Sequence, residues 1–511
     1  GAPRGAAGRG GGGGAGRGGG VGVVVSGGGG ARREPWEPIS AVGWDGHATR
    51  PTYDDAMTRA RRVVAIALCA GLTAGFAVFA GQLSASRDAT RVPPSSGGAR
   101  AGTDGTDQAA SSVPRSGEEA ARISAAQSLL TARSQAVKAH DKSAWMATVD
   151  VPGSPFGELQ SMEFDNLSKL PLGRFAYGAV QLTPALGVAR VAQLGSTAWA
   201  AAVSGTYILA GYDRAPRTFG VTYTLVRRAG RWHIADDADG VTALQLWDLP
   251  GLRVLEGRSA MVIGNAPEAR MRDYEAVADS SVRKVTGVWG KDWNSHVVIL
   301  TPSTTQEFAE LVSRSADEGL DQVAAITQGE IEPGRPAQGD RVVINPKAFT
   351  ALDPNGRQVV ITHELTHVAA RSSAVTPVPI WLSEGMADYV GYSGIDLSRA
   401  RIASELLTLV RQGKGPKTLP TADDFDPAKS KIATSYSASW LAVSRLVDIY
   451  GQAKVVSFYR AISARLTVDK DAPLDPDVIA LDAFPRVFGI SEAEFVVGWK
   501  GYLRTLAMSH G

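Results

Sequence analysis

The sequence predicts a multidomain chain: two α+β modules in tandem, the second mostly helical, behind one N-terminal transmembrane helix. Three observations carry this. The run from Val63 to Leu83 is apolar and uncharged over a length that crosses a bilayer. After it, a helical stripe is followed by alternating runs, the order of a helix and a meander of strands. Beyond about Ser259, short apolar runs give way to helical patterns that continue to the C-terminus, an α+β order. At 511 residues the chain exceeds one ordinary core. A net charge of +2 gives no general attraction for nucleic acid. The single cysteine, Cys69, excludes an intrachain disulfide, cysteine-protease chemistry and Cys-based zinc sites.

The elements follow in order. Residues 1–58 form a Gly- and Arg-rich tail with runs such as Gly10–Gly14 and Gly27–Gly30, expected to be disordered and cytoplasmic. Arg-Gly pairs at Arg4, Arg9 and Arg17 lack interleaved aromatics, so a solvated tail is favoured over RNA binding and no nucleic-acid partner is expected. Residues 59–86 hold the membrane helix. Its apolar core, residues 63–83, follows Arg59, Arg61 and Arg62, which predicts a single-pass cell-membrane protein with its N-terminus inside and everything after Leu83 outside. The alternative, translation from Met57, makes the same stretch a signal peptide with Ser84-Ala85-Ser86 as its cleavage site. Gly71 and Gly75 form a GxxxG pair that allows weak dimerisation. Residues 87–117, rich in Ser, Gly, Pro and Thr, are a flexible linker.

Residues 118–250 form the first folded module. A helix over 118–140 carries Ile123, Ala126, Leu130 and Val137 on one stripe, and strands follow at Phe175–Leu182, Ala198–Leu209, Thr218–Arg227 and Arg231–Ala235. The last two form a hairpin closed at Ala229-Gly230. A helix, a meander and a terminal Arg-Trp-His strand resemble the NTF2-like α+β cone. Trp232 and His233 either line a pocket there or are ordinary residues of a half-buried strand. Residues 259–511 form the second module, expected to fold alone. Helices are predicted over 266–288 and 305–313 and strands over 296–300, 322–328 and 341–345. Helices then cover 357–371, 381–392, 398–412, 433–450, 452–465 and 491–507.

The chemistry concentrates in His363-Glu364-Leu365-Thr366-His367. On a helix, positions four apart lie about 6 Å apart along the axis and on one face, so both imidazoles reach adjacent corners of a tetrahedral zinc site. Glu364 then sits beside the metal without ligating it, where its carboxylate takes a proton from water. With only seven histidines in the chain, chance produces this pattern on the order of 0.005 times per chain, so it calls for a third ligand rather than dismissal. Glu384 supplies one, 17 positions after His367, on a second helix that turns back after Pro377 and Pro379. Asp388, one turn further, is placed to fix the tautomer of His363.

HELTH followed by SEGMAD resembles the gluzincin metallopeptidases, the HExxH-plus-glutamate group, and within it the M1-like branch of the peptidase MA families. The likeness covers residues 259–511. It implies a zincin metallopeptidase domain that hydrolyses a peptide or protein substrate, with Zn2+ held by His363, His367 and Glu384 and Glu364 as general base. It also implies that the strand Asp340–Asn345 pairs with substrate backbone and that a downstream tyrosine steadies the oxyanion. Tyr436 is the candidate, against its reading as a packing residue. No motif for a substrate's free amino terminus is present, so exopeptidase action does not carry over. The alternative is an inactive or structural metallo-domain in a cell-surface scaffold.

Overall fold

The computed structural model describes residues 113–314, 320, 323–330, 335–426, 432–465 and 475–509, and within these the fold is mixed α+β. The tail, the apolar run 63–83 and the linker up to residue 112 lie outside the described residues. Among the described residues no helix is long and apolar enough to cross a membrane.

The first part opens with α1 (Val113–Ala139), α2 (Lys142–Met146) and α3 (Pro155–Leu167). A four-stranded antiparallel meander follows: β1 (Leu172–Leu182), β2 (Trp199–Leu209), β3 (Arg217–Arg228) and β4 (Arg231–Asp236), with the short helix α4 (Val188–Leu194) between β1 and β2. The β3–β4 turn falls at Ala229 and Gly230, both at positive φ (48° and 85°), the backbone that matches strand twist in a two-residue hairpin. Ala126 and Leu130 of α1 pack on Val180, Ala201, Val203, Tyr223 and Leu225, so the period-2 pattern of β2 and the stripe of α1 meet as their sequences require. Trp232 joins this cluster, edge-on to Trp199 at 5.8 Å, as a packing residue. Arg133 of α1 is sealed inside, 3.3 Å above the Trp145 ring, and donates to Thr148 and Gln160. Helices α2, α3 and α4 were not anticipated; α2 and α4 are five and seven residues long, too short for a periodic signal.

The second sheet holds β5 (Arg253–Glu256), β6 (Ala260–Gly264), β7 (Val297–Thr301), β8 (Ala325–Glu330) and β9 (Gln338–Ile344), in the order β5-β6-β7-β9-β8. It therefore begins before residue 259. Strands β6, β7 and β9 run parallel, while the outer strands β5 and β8 are antiparallel to their neighbours. Helix α5 (Glu268–Trp289) makes the crossover from β6 to β7, and α6 (Thr305–Leu311) follows β7. Every residue of β6 and β7 is buried, as befits parallel strands covered on both faces. One face, with Ala260, Val262, Ile299 and Val342, packs on the C-terminal helices. The other, with Met261, Ile263, Val298, Leu300, Ile326 and Val343, shares a core with Trp145, Phe164, Tyr207, Phe219 and Trp247 of the first part.

The remaining elements are helical: α7 (Pro346–Thr350), α8 (Pro354–Arg371), α9 (Ile380–Gly391), α10 (Arg399–Ile402), α11 (Ser404–Arg411), α12 (Ile432–Tyr450), α13 (Gln452–Ser463), α14 (Pro476–Phe488) and α15 (Glu492–Met508). The helix expected over 398–412 is broken at Ala403. Helix α14 was not anticipated because it contains Pro485. That proline stands in the last turn, where it removes one backbone donor and the helix is about to stop at Gly489, in the left-handed conformation.

Candidate metal centre

Helix α8 starts cleanly. Asp353 caps it, accepting from the Gly356 amide at 2.7 Å, and Pro354 takes the first position. From Val359 to Ala370 every residue is buried, so α8 runs through the interior with apolar side chains against α5 and the sheet. Its polar side chains must then find partners. Thr362 Oγ1 and Ser281 Oγ of α5 lie 2.9 Å apart, and Gln358 donates to both. His363 and His367, one turn apart, face α9.

Helix α9 begins after Pro379 and brings Glu384 and Asp388 to the same face, again one turn apart. His363 Nδ1 lies 2.8 Å from Asp388 Oδ1, which leaves Nε2 as its unprotonated, ligating nitrogen when the imidazole is neutral. The Nε2 atoms of His363 and His367 are 3.1 Å apart, and Glu384 Oε2 lies 3.3 Å from the first and 3.5 Å from the second. Ligands held about 2.0–2.1 Å from a tetrahedral zinc sit roughly 3.3 Å from one another. The three atoms therefore form the base of such a tetrahedron. Among the described residues, buried Glu384 Oε2 has no hydrogen-bond partner beyond the two imidazoles it faces. The set His363, His367 and Glu384 can hold a metal ion. Two imidazoles and one carboxylate are donors that a divalent metal of intermediate softness accepts.

Electrostatics separates the carboxylates. Burial works against ionising Glu384, but the attraction of His367 and His363 and their hydrogen bonds outweigh it and bring Glu384 down to about 2. Burial likewise opposes a charged His363, yet Asp388 and Glu384 lift it to about 10. Burial raises Asp388, with the hydrogen bond to His363 opposing. Glu364 is raised by burial, against the pull of His363, His367 and Thr327.

Glu364 does not join the three donors. The Thr327 hydroxyl of β8 donates to its Oε2 at 2.6 Å and also lies 3.2 Å from its carbonyl oxygen. Tyr436 of α12 is buried, with its ring 6.4 Å from that of His363 and 5.0 Å from Phe425. All six residues singled out by the sequence thus lie at this one place. One expectation fails. The strand containing Asp340–Asn345 is β9, paired on one side with β7 and on the other with β8, so no further backbone can pair with it. The strand that ends the sheet is β8, and it is the one that touches Glu364.

Three neighbours were missed. Thr327 carries no sequence signal, because its contact spans 37 residues. Ser383 Oγ stands 3.5 Å from His367 Nδ1, and its place directly before Glu384 was a readable hint. Tyr459 of α13, pushed up to about 12 by burial, is held down in part by its hydrogen bond to Ser383. Set against known proteins, the chain matches no family model and no curated sequence, so the geometry stands as its own witness.

Proposed function

We propose that the chain is a zinc metallopeptidase of the HExxH-plus-glutamate, gluzincin type, with an M1-like peptidase domain tethered outside the membrane by residues 63–83 behind an NTF2-like module. One observation carries this reading: three donor atoms spaced for a tetrahedral metal, with a further buried carboxylate, Glu364, beside them and held off them by Thr327. A structural metal site gains nothing from that carboxylate, since burying a charge without a use costs stability. A hydrolytic site needs it.

His363, His367 and Glu384 hold zinc, which when bound polarises a carbonyl oxygen and makes water acidic near neutral pH. Asp388 keeps the His363 tautomer, and Ser383 does the same for His367. Glu364 takes the proton from water as its oxygen bonds to the scissile carbon, then delivers that proton to the nitrogen as the C–N bond breaks. Burial suits it to this, because a raised carboxyl pKa makes a stronger base. Tyr436, packed against His363, is the candidate donor to the oxyanion. Substrate backbone pairs with β8, the strand that ends the sheet beside Glu364.

The test is Glu364→Gln in the full chain, with zinc content and cleavage of a broad peptide library both measured. Zinc content stays near one per chain while cleavage falls by at least about 10²-fold. A wild-type chain that binds zinc and cleaves nothing, or a variant as fast as wild type, leaves a metal-binding scaffold as the function.

A further inference from the structure

Between the first part of the chain and the metal centre runs a line of buried polar contacts. Asp213, just after β2, accepts from both terminal nitrogens of Arg341 on β9, at 2.7 and 2.8 Å. Both side chains are sealed from solvent, at 2% and 0% exposure. Around this pair Arg217 donates to the Gly339 carbonyl of β9 and Asn294, in the loop before β7, to the Tyr212 carbonyl, so the 210–217 segment is fastened to the second sheet and to the loop that enters it. Arg341 is registered opposite Gln328 of β8, and its neighbour Val342 opposite Thr327. One residue back, Asp340 pairs at 3.1 Å with Arg371 in the last turn of α8, and Arg371 also donates to the Gly329 carbonyl of β8. The β8–β9 register shifts between Gln328 and Glu330. A Cβ on Gly329 would overlap the Asp340 carboxylate, so only glycine admits that carboxylate there.

These contacts fix where β8 stands, and β8 carries the hydroxyl that holds Glu364. A buried ion pair is a poor source of net stability but a strict device for register, because neither partner tolerates a shift that leaves the other unpaired. We propose that Asp213 is a positioning residue for the metal centre: through Arg341 it sets the register of β8, and through Thr327 the direction of the Glu364 carboxylate. The upstream part of the chain is then a component of the hydrolytic apparatus. This rests on the metallopeptidase reading and extends it.

The test uses the full chain in detergent, as Asp213→Asn and as the double variant Asp213→Leu with Arg341→Met, which removes both charges and leaves neither partner stranded. Three quantities are read: zinc per chain, kcat and KM per zinc-loaded chain, and amide hydrogen exchange across 325–330 and 338–344. In Asp213→Asn, zinc stays bound, exchange in both strands quickens relative to α8, and kcat falls about 10-fold or more, as misplacement of a reacting group does. The double variant recovers kcat. A purely structural Asp213 lowers the yield of folded chain and leaves kcat per zinc-loaded chain unchanged, which overturns the proposal. So does loosened exchange with normal kcat, or lowered kcat with unchanged exchange. If the wild type cleaves nothing, the metallopeptidase reading fails by itself, and unchanged exchange in Asp213→Asn still refutes the coupling.

Discussion

Glu364 and Glu384 are buried carboxylates on adjoining helices, and their surroundings drive them in opposite directions. Glu384, hydrogen-bonded by two imidazoles, is held at about 2; Glu364, hydrogen-bonded by Thr327, is raised by burial against the pull of the same imidazoles. That divergence separates a ligand from a base. Asp388 has a third role, acting on the site through His363. Asp388→Asn keeps the shape but weakens the hold on Nδ1, so zinc affinity should fall about 10–100-fold in a chelator competition titration. Ser383→Ala, which loses only a 3.5 Å contact to His367, should change it less. These positions show what a sequence discloses. His363, Glu364 and His367 sit within one helical turn, and Glu384 and Asp388 within another, so local spacing alone placed them on facing sides. Thr327 reaches Glu364 from a separate strand, and nothing in its neighbourhood marks it. Asp213 and Arg341 are 128 positions apart, and no local pattern pairs a loop aspartate with a strand arginine.

The contact between α9 and α12 fixes the distance between the donors and Tyr436. The approach is close, because Gly385, the residue after Glu384, lies against the Ser439 carbonyl and a Cβ there would overlap backbone. Backbone cannot rotate away as a side chain can. Gly385→Ala should therefore force α12 outward, at about 1–3 kcal/mol, visible as a lowered Tm and faster zinc loss. Gly498 in α15 is a contrast: it is exposed and its Cβ would meet nothing, so Gly498→Ala should hold or raise Tm through helix propensity alone. Long elements were legible for the same reason that they are stable. Helices α5, α8, α9, α12 and α15 repeat an apolar stripe over three turns or more. Strands β5 and β6 are four and five residues long, with no alternation to betray them. Helix α14 was hidden by a proline that its last turn tolerates.

At the scale of the molecule, the second sheet is the wall between two cores. Six of its side chains, Met261, Ile263, Val298, Leu300, Ile326 and Val343, share a core with residues of the first part and with Phe308, Leu311 and Phe425 of the second. A fragment of residues 259–511 uncovers part of that face and also loses β5. A side chain fully uncovered costs about 1.5–3 kcal/mol, so even partial exposure of six removes a large share of the stability of a domain. The fragment is expected to aggregate or to unfold without cooperativity, in contrast to the independent folding that the change of sequence texture suggested. Chemical denaturation followed by tryptophan fluorescence decides it. The first part also bears a pH dependence. Burial lifts Asp248 to about 7, against a hydrogen bond from the Gln245 amide, and burial with the charge of Asp248 raises Glu163 well above the usual carboxylate range. Both folded values stand above the unfolded ones, so the folded chain holds protons that the unfolded chain has released. Their contribution is complete below about pH 4 and is lost as pH rises, for Asp248 through about 7. Urea midpoints of the full chain should fall from pH 5 to pH 8, and Asp248→Asn, which mimics the protonated acid, should flatten that slope.

The shared core also imposes an order of events on a chain made from its N-terminus. Residues 145–252 emerge first and present Trp145, Phe164, Tyr207, Phe219 and Trp247 to a wall that does not yet exist. The last strand of that wall is complete only at Ile344, some 90 residues later, and at 5–20 residues per second the wait is roughly 5–20 s. For that interval the nascent chain is an aromatic surface in search of a lid, and a holding chaperone is the natural occupant. Ribosome-bound chains halted near residue 255 should therefore capture such a factor, and chains halted beyond residue 400 should release it.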